Sequence, residues 1–243
     1  YKLKFINSYN EKISLIEKEG VDYLVLIPFT KEFSQKTTSD FVKEYLVDIL
    51  KVKMLIIGYD NRFGNKENNN FSSLFEISKQ YNFDIKKIEV QQIDGLTVSS
   101  TRIREALDKG NIKLANKLLG YNYYFSGKVI KGNQIGQKIG FPTANIDLEN
   151  DFKIIPAMGV YAIKVLYKNQ LYKGMLNIGI RPTLNINKLS IEVNIFDFNE
   201  NIYNEYLTIY LIDRIRDEIR FSNLEELTNQ LIKDKSYAEK LLS

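Results

Sequence analysis

The stretch Gly136-Gln137-Lys138-Ile139-Gly140-Phe141-Pro142-Thr143-Ala144-Asn145-Ile146 carries two glycines and then, almost at once, a hydroxyl and a side-chain amide. With Gly127 and Gly132 upstream, these glycines let backbone amides close on a bound group. A missing Cβ permits near approach, and successive N–H groups form an anion-binding concavity. Thr143 and Asn145 then offer two neutral oxygens, a set that suits magnesium, which prefers hard oxygens and takes the rest of its shell from water and phosphate. The same residues also describe a glycine-bearing hairpin entering a strand, with Pro142 marking its edge. On spacing alone both readings stand.

Working outward, the hundred or so residues after Gly120 read as short strands between turns: Tyr124 to Ile130, Val160 to Tyr167, Gln170 to Ile178, Ser190 to Phe198 and Tyr206 to Arg214. This is the pattern of an antiparallel barrel or sandwich, closed by an amphipathic helix from Leu224 to about Ile232. Before Gly120 helices and strands alternate. Ser8 and Glu11 form a capping-box signature for a helix that Gly20 ends. Val21 to Pro28 reads as a buried strand, Asp40 to Leu50 as a helix, Met54 to Gly58 as a strand, Ser72 to Tyr81 as a helix and Ile85 to Ile93 as a strand. Such alternation predicts a parallel α/β sheet covered on both faces, with ligands beyond the carboxyl ends of its strands. Ser100 to Leu119 reads as two helices broken at Gly110-Asn111. Asn65 to Asn70 is the one low-complexity patch.

Composition narrows the chemistry. The chain of 243 residues is 44% hydrophobic and 26% charged with a formal net charge of +4, the profile of a globular protein of two domains. It contains no histidine and no cysteine, which excludes imidazole and thiolate metal sites, disulfides and Ser-His or Cys-His nucleophile pairs. Proton transfer therefore falls to carboxylates, Lys or Tyr. The mild, mixed charge suits a small anionic ligand and shows no basic stripe for nucleic acid. With no apolar run long enough to span a membrane and no signal peptide, a cytoplasmic location is expected.

Five segments of the second half, G-K-V-I-K-G (Gly127 to Gly132), the Gly136 to Ile146 stretch, G-V-Y-A (Gly159 to Ala162), N-I-G-I-R-P-T (Asn177 to Thr183) and I-E-V-N-I-F-D-F (Ile191 to Phe198), resemble the riboflavin kinase domain. In the first half, G-Y-D-N-R-F-G (Gly58 to Gly64) and V-S-S-T-R-I-R (Val98 to Arg104) resemble the FMN adenylyltransferase domain that precedes it in the bacterial bifunctional riboflavin kinase/FAD synthetase family. The resemblance implies a nucleotidyltransferase-like, Rossmann-like α/β domain over 1–120 and a six-stranded Greek-key barrel with a terminal helix over 121–243. It implies two reactions: riboflavin and ATP giving FMN and ADP, then FMN and ATP giving FAD and pyrophosphate. Thr143 and Asn145 match its magnesium and phosphate positions, the glycines its nucleotide loop, and Glu192 its general base. Asn177, Arg181 and Arg216 match positions near the flavin. Ser99, Ser100, Thr101 and Arg104 match the adenylyltransferase phosphate signature, and Asp60 and Arg62 a turn that reaches phosphate or metal.

Each assignment has a plainer counterpart. Ile191, Val193 and Ile195 alternate toward one face of a strand, so Glu192 and Asn194 point to the other, where a solvated carboxylate is ordinary. Ser99 to Thr101 also make an ordinary helix cap, although hydroxyls and free amides at a helix start, with an arginine one turn on, equally favour an anion. Two departures from the family stand out. Asn194 replaces what is often histidine, and the family's opening strand, glycine-rich turn and histidine pair have no match from Tyr1 onward. FAD synthesis is accordingly expected where an N-terminal segment supplies those parts. The alternatives are a kinase-only enzyme with a degenerate first half, or a flavin-binding protein without turnover.

Overall fold

The computed structural model describes residues 4–58, 71–132, 135–148, 152–182 and 187–243, without the side chains at 71, 72, 135, 181, 182, 187 and 188. Two compact units divide these residues: one of 20–97, the other of 1–19 together with 98–243.

In the larger unit, α1 (Tyr9–Lys18) opens with the expected capping box, Ser8 and Glu11 each accepting from the other's backbone amide. The smaller unit begins with two short helices, α2 (Lys31–Ser34) and α3 (Thr38–Phe41). A π-helical segment, Val42–Ile49, continues α3 where an α-helix is predicted, and its Val42 and Leu46 are buried. Strand β1 (Met54–Ile57), helix α4 (Phe71–Tyr81) and strand β2 (Asp84–Lys87) follow, β1 and β2 pairing in parallel from Met54↔Asp84 to Ile57↔Lys87. A small core of Val42, Leu46, Ile57, Leu74 and Phe83 holds them together. The hairpin β3 (Gln92–Ile93) and β4 (Leu96–Thr97) ends the unit.

Two expectations for this unit are corrected. Val21 to Pro28 is not a strand: its backbone takes no regular structure and Tyr23 is 89% exposed. An apolar run becomes a strand only where a neighbouring strand takes up its N–H and C=O groups, and no such pairing exists among the described residues. Nor is the sheet covered on both faces, since Met54 and Ile56 of β1 are more than half exposed.

The larger unit is built on helices α5 (Ser100–Asp108) and α6 (Ile112–Leu119) and a closed barrel. Its strands are β5 (Tyr124–Ile130), β6 (Ala144–Asp147), β7 (Gly159–Tyr167), β8 (Gln170–Pro182), β9 (Asn187–Ile195) and β10 (Tyr206–Arg216), in the order β10-β5-β6-β9-β8-β7, all pairs antiparallel. A single helical turn, α7 (Ile135–Lys138), sits between β5 and β6. Strand period explains the interior: Phe125 and Val129, Ile163 and Val165, Leu176 and Ile178, Ile191 and Val193, and Leu207, Ile209 and Leu211 point inward and are nearly inaccessible. The β7–β8 turn is Lys168-Asn169, both with positive φ, the primed geometry whose twist matches a hairpin. Helix α8 (Leu224–Leu241) runs well past the predicted end and packs Ala238 and Leu242 against Ala162, Met175 and Phe196.

Packing does not break at Gly120, where the sequence pattern changes. Ile103, Leu107, Ile112, Ala115 and Leu118 of α5 and α6 belong to the barrel's own core. Asn116 ties α6 to the barrel, donating to Leu211 O at 2.9 Å and accepting from Tyr123 N at 2.7 Å. Residues before α1 join it too: Phe5 N donates to Phe152 O and Ile154 N to Phe5 O. Lys153, 5% exposed, pairs with Glu11 and donates to Ile6 O at 2.7 Å.

Candidate active site

Barrel pairing assembles the site from one lateral row. Asn145 of β6 lies opposite Glu192 of β9, Glu192 opposite Asn177 of β8, Asn177 opposite Val160 of β7, and Val160 opposite Arg216 of β10. Directly opposed residues in antiparallel strands share a face, with Cβ atoms about 5 Å apart. All five line a cavity of about 330 Å³, whose wall is completed by Gly136, Phe141, Thr143, Asn194 and Glu218, and by apolar side chains that include Phe221, Leu227 and Leu231.

Glu192 is the centre of this row. Thr143 Oγ1 donates to its Oε2 at 3.2 Å, and Ser190 Oγ donates to its Oε1 at 3.1 Å. The carboxylate is half-buried, so it is not the solvated group that alternation alone permits. Asn194, two residues on along the same face of β9, donates from Nδ2 to Pro142 O at 2.7 Å and so holds the Phe141 to Thr143 segment against the strand. Thr143 also lines a second cavity of about 410 Å³, together with Gln137, Pro142, Ala144 and the segment Phe198 to Tyr203. The two cavities meet at Thr143, which borders both.

The glycines divide by role. A Cβ on Gly132 would stand 1.9 Å from Asn145 Nδ2, and one on Gly136 would stand 2.1 Å from Phe141 O. Both absences make room for site residues. Gly140 takes a positive φ of +78° in the turn before Phe141. Gly127 is buried within β5, where the space of its missing Cβ is taken by Ile146 Cγ2 and Asp147 O of β6; its place is in strand packing rather than in a loop.

Arg216 reaches the cavity with its guanidinium already engaged. Its Nε lies 3.0 Å from both oxygens of Asp234 on α8, and its second terminal nitrogen lies 2.7 Å from Oδ2. Asp234 is 2% exposed and also accepts from Gln230 at 2.8 Å. The Ser99 to Arg104 group is not brought to either cavity. Ser99 caps α5 by accepting from Arg102 N at 3.3 Å, and Arg104 Nε donates to Lys4 O at 3.4 Å. Asp60, Asn61, Arg62, the Asn65 to Asn70 patch and the side chain of Arg181 lie outside the described residues.

Sequence reasoning missed Ser190, Phe221, Leu227 and Leu231. Ser190 shares the two-residue period of Glu192 and Asn194, and Leu227 with Leu231 shows the one-turn spacing of a helix face. Those periods were visible, but nothing local says what they face. Among the described residues no three Asp or Glu side chains gather into a metal cage. A divalent cation at this row would rest on the neutral oxygens of Thr143 and Asn145, a donor set that fits magnesium shared with phosphate.

A closed barrel with a half-buried carboxylate in one cavity, hydrogen-bonded to a threonine that also borders a second, is the architecture of a phosphotransferase of the flavokinase type. Comparison with known proteins agrees: the riboflavin kinase family model matches residues 119–242, and the FAD synthetase model matches residues 1–102. The bifunctional riboflavin kinase/FMN adenylyltransferase of Buchnera aphidicola subsp. Schizaphis graminum is 39% identical over 253 residues, covering 98% of this chain and 80% of that protein. The Haemophilus influenzae protein of the same name is 39% identical over 230 residues, covering 94% and 74%. A crystal structure described as a macrolide-efflux protein from Streptococcus pneumoniae superposes with a TM-score of 0.88 at 34% identity, over 97% of this chain and 76% of that one. The chain belongs to the bifunctional riboflavin kinase/FMN adenylyltransferase family.

Proposed function

We propose that the barrel transfers the γ-phosphoryl group of ATP to the terminal ribityl hydroxyl of riboflavin, giving FMN and ADP. The observation that carries this is the position of Thr143, which borders both cavities while its hydroxyl rests on Glu192. Two substrates seated on either side of one residue meet there. The cavity walled by Phe141, Phe221, Leu227 and Leu231 suits the planar, largely apolar isoalloxazine, with its ribityl tail directed toward Glu192. The cavity along Phe198 to Tyr203 then takes the nucleotide.

In the reaction the ribityl oxygen attacks the γ-phosphorus, the bond to the ADP oxygen breaks, and Glu192 accepts the proton released from the hydroxyl. Thr143 and Asn145 would hold magnesium, which when bound neutralises charge on the phosphates. Because this class of transfer depends on alignment and charge neutralisation, the base adds a smaller share. Glu192→Gln is expected to retain ADP binding and lose about 10²-fold in kcat.

The first half adenylylates FMN: the FMN phosphate attacks the α-phosphorus of a second ATP, and pyrophosphate leaves. Ser99, Ser100, Thr101 and Arg104 at the start of α5 are assigned to phosphate, with Asp60 assigned to the same reaction. On this reading the division of labour falls near residue 120. Incubating the chain with riboflavin, ATP and magnesium and separating the flavins by chromatography tests both activities. FMN and FAD are expected; unchanged riboflavin removes the first activity, and FMN left unconverted, there or in a parallel incubation started from FMN, removes the second.

A further inference from the structure

We infer that Ser190 is a positioning residue for phosphoryl transfer, holding the Glu192 carboxylate in one plane so that its orientation survives when Thr143 engages the nucleotide. The inference rests on the reading of Glu192 as the base. Ser190 is 9% exposed and lines neither cavity, so it reaches the site only through the carboxylate that its hydroxyl contacts at 3.1 Å.

Why a second hydroxyl is needed follows from the geometry. The last torsion of a glutamate is broad and nearly two-fold, so an unrestrained carboxylate swings about its final bond. Thr143 and Ser190 each donate to a different oxygen, Oε2 and Oε1, and two donors on two oxygens define a plane where one does not. Thr143 also faces the second cavity, so its oxygen is drawn on by whatever binds there. Ser190 lines neither of the two cavities, and its backbone is paired with Gly179 in the barrel wall, so its contact does not depend on what either cavity holds. Its place on β9, two residues before Glu192, puts both side chains on the same face of one rigid strand.

The test is steady-state FMN formation by the full chain. Ser190→Ala is expected to lower kcat about tenfold, the effect of one hydrogen bond to a charged group, with the KM values for riboflavin and ATP moving less than about twofold. Ser190→Thr, which keeps the hydroxyl, should restore kcat to within about threefold. In the Glu192→Gln background Ser190→Ala should change kcat by less than about twofold, since residues that act through one group are not additive. An unchanged kcat in Ser190→Ala, or an equal loss in the Glu192→Gln background, overturns the inference. If Glu192→Gln itself turns over at the wild-type rate, the base assignment fails instead, and the two failures are told apart. Should Ser190→Ala melt below the assay temperature, Ser190→Cys keeps the volume with a weaker donor; an intermediate kcat supports the inference and a wild-type kcat overturns it.

Discussion

A methyl group at position 132 would meet the Asn145 amide at 1.9 Å, well inside contact distance, so either the loop or Asn145 must move. Because Asn145 sits beside Glu192 in the lateral row, displacement of its oxygen by about 1 Å misplaces the phosphate end of the nucleotide, and losses on the order of 10²-fold follow such shifts. Gly132→Ala is therefore expected to lower kcat/KM for ATP by about that factor, as steady-state FMN formation would show. Asn194 acts on the same segment from the other side through Pro142 O. Asn194→Leu removes the donor at similar volume and should cost about tenfold in kcat/KM for ATP, whereas Asn194→His, which keeps an N–H, should cost less; parallel kinetics of the two variants decide it.

At the scale of elements, helix α8 is attached to the barrel by a buried ion pair as well as by apolar packing. Arg216 and Asp234 have side chains only 15% and 2% exposed. Removing one member leaves the other charge desolvated without its counterpart, a loss of about 3 to 5 kcal/mol. Asp234→Ala should lower the unfolding free energy in urea by roughly 3 kcal/mol; a change below about 1 kcal/mol would mean that the pair behaves as an exposed one. The same helix shows what sequence pattern conveys and what it hides. Barrel strands such as β5 and β10 were legible because alternation fills their inner face, and β5 was bounded to the residue, Tyr124 to Ile130. Helix α8 was expected to end near Ile232 because the pattern fails there: Ile232 is 55% exposed while the charged Asp234 is buried. The reason lies outside the helix, on Arg216 at the end of β10. Thr143 and Asn145 were singled out for a comparable local reason, as chemistry written in a short motif, whereas Glu192 came in only through the resemblance of its segment to the kinase domain. Ser190 and the apolar wall of the first cavity were not, because their meaning depends on strand pairing. The misread Val21 to Pro28 segment is the converse case, a pattern with no strand beside it among the described residues.

At the scale of the molecule, the matched families meet near residues 102 and 119, yet the barrel's body also includes 4–19 and 98–118. A fragment of 119–243 lacks the side chains of Ile103, Leu107, Ile112 and Ala115 that cover its core, as well as Glu11, the partner of buried Lys153. Such a fragment is expected to melt well below the intact chain, and differential scanning calorimetry of the two checks it. Alkaline stability tests the same junction. Burial raises the phenol of Tyr123 well above its usual 10.0, and burial together with the Glu11 charge pushes Tyr124 up to about 12. Burial also raises Tyr121. For groups raised on folding, the stabilising contribution is whole below the unfolded value and disappears as pH climbs through the folded one. Lys153, lowered by burial against the pull of Glu11, acts with the opposite sign, but one amine stands against three phenols. The melting temperature is expected to fall between about pH 10 and pH 12, and less steeply in Tyr124→Phe; a flat profile in the native chain would contradict it.

One consequence of the lateral row concerns how activity first arises. Five neighbouring strands each contribute one side chain to it, and the row runs from β6 through β9, β8 and β7 to β10, out of chain order. No hairpin on its own contains a working fragment, and a two-residue slip at any seam would scatter the group. Turnover during refolding thus reports the last seam to close, and a half-assembled chain is inert rather than slow.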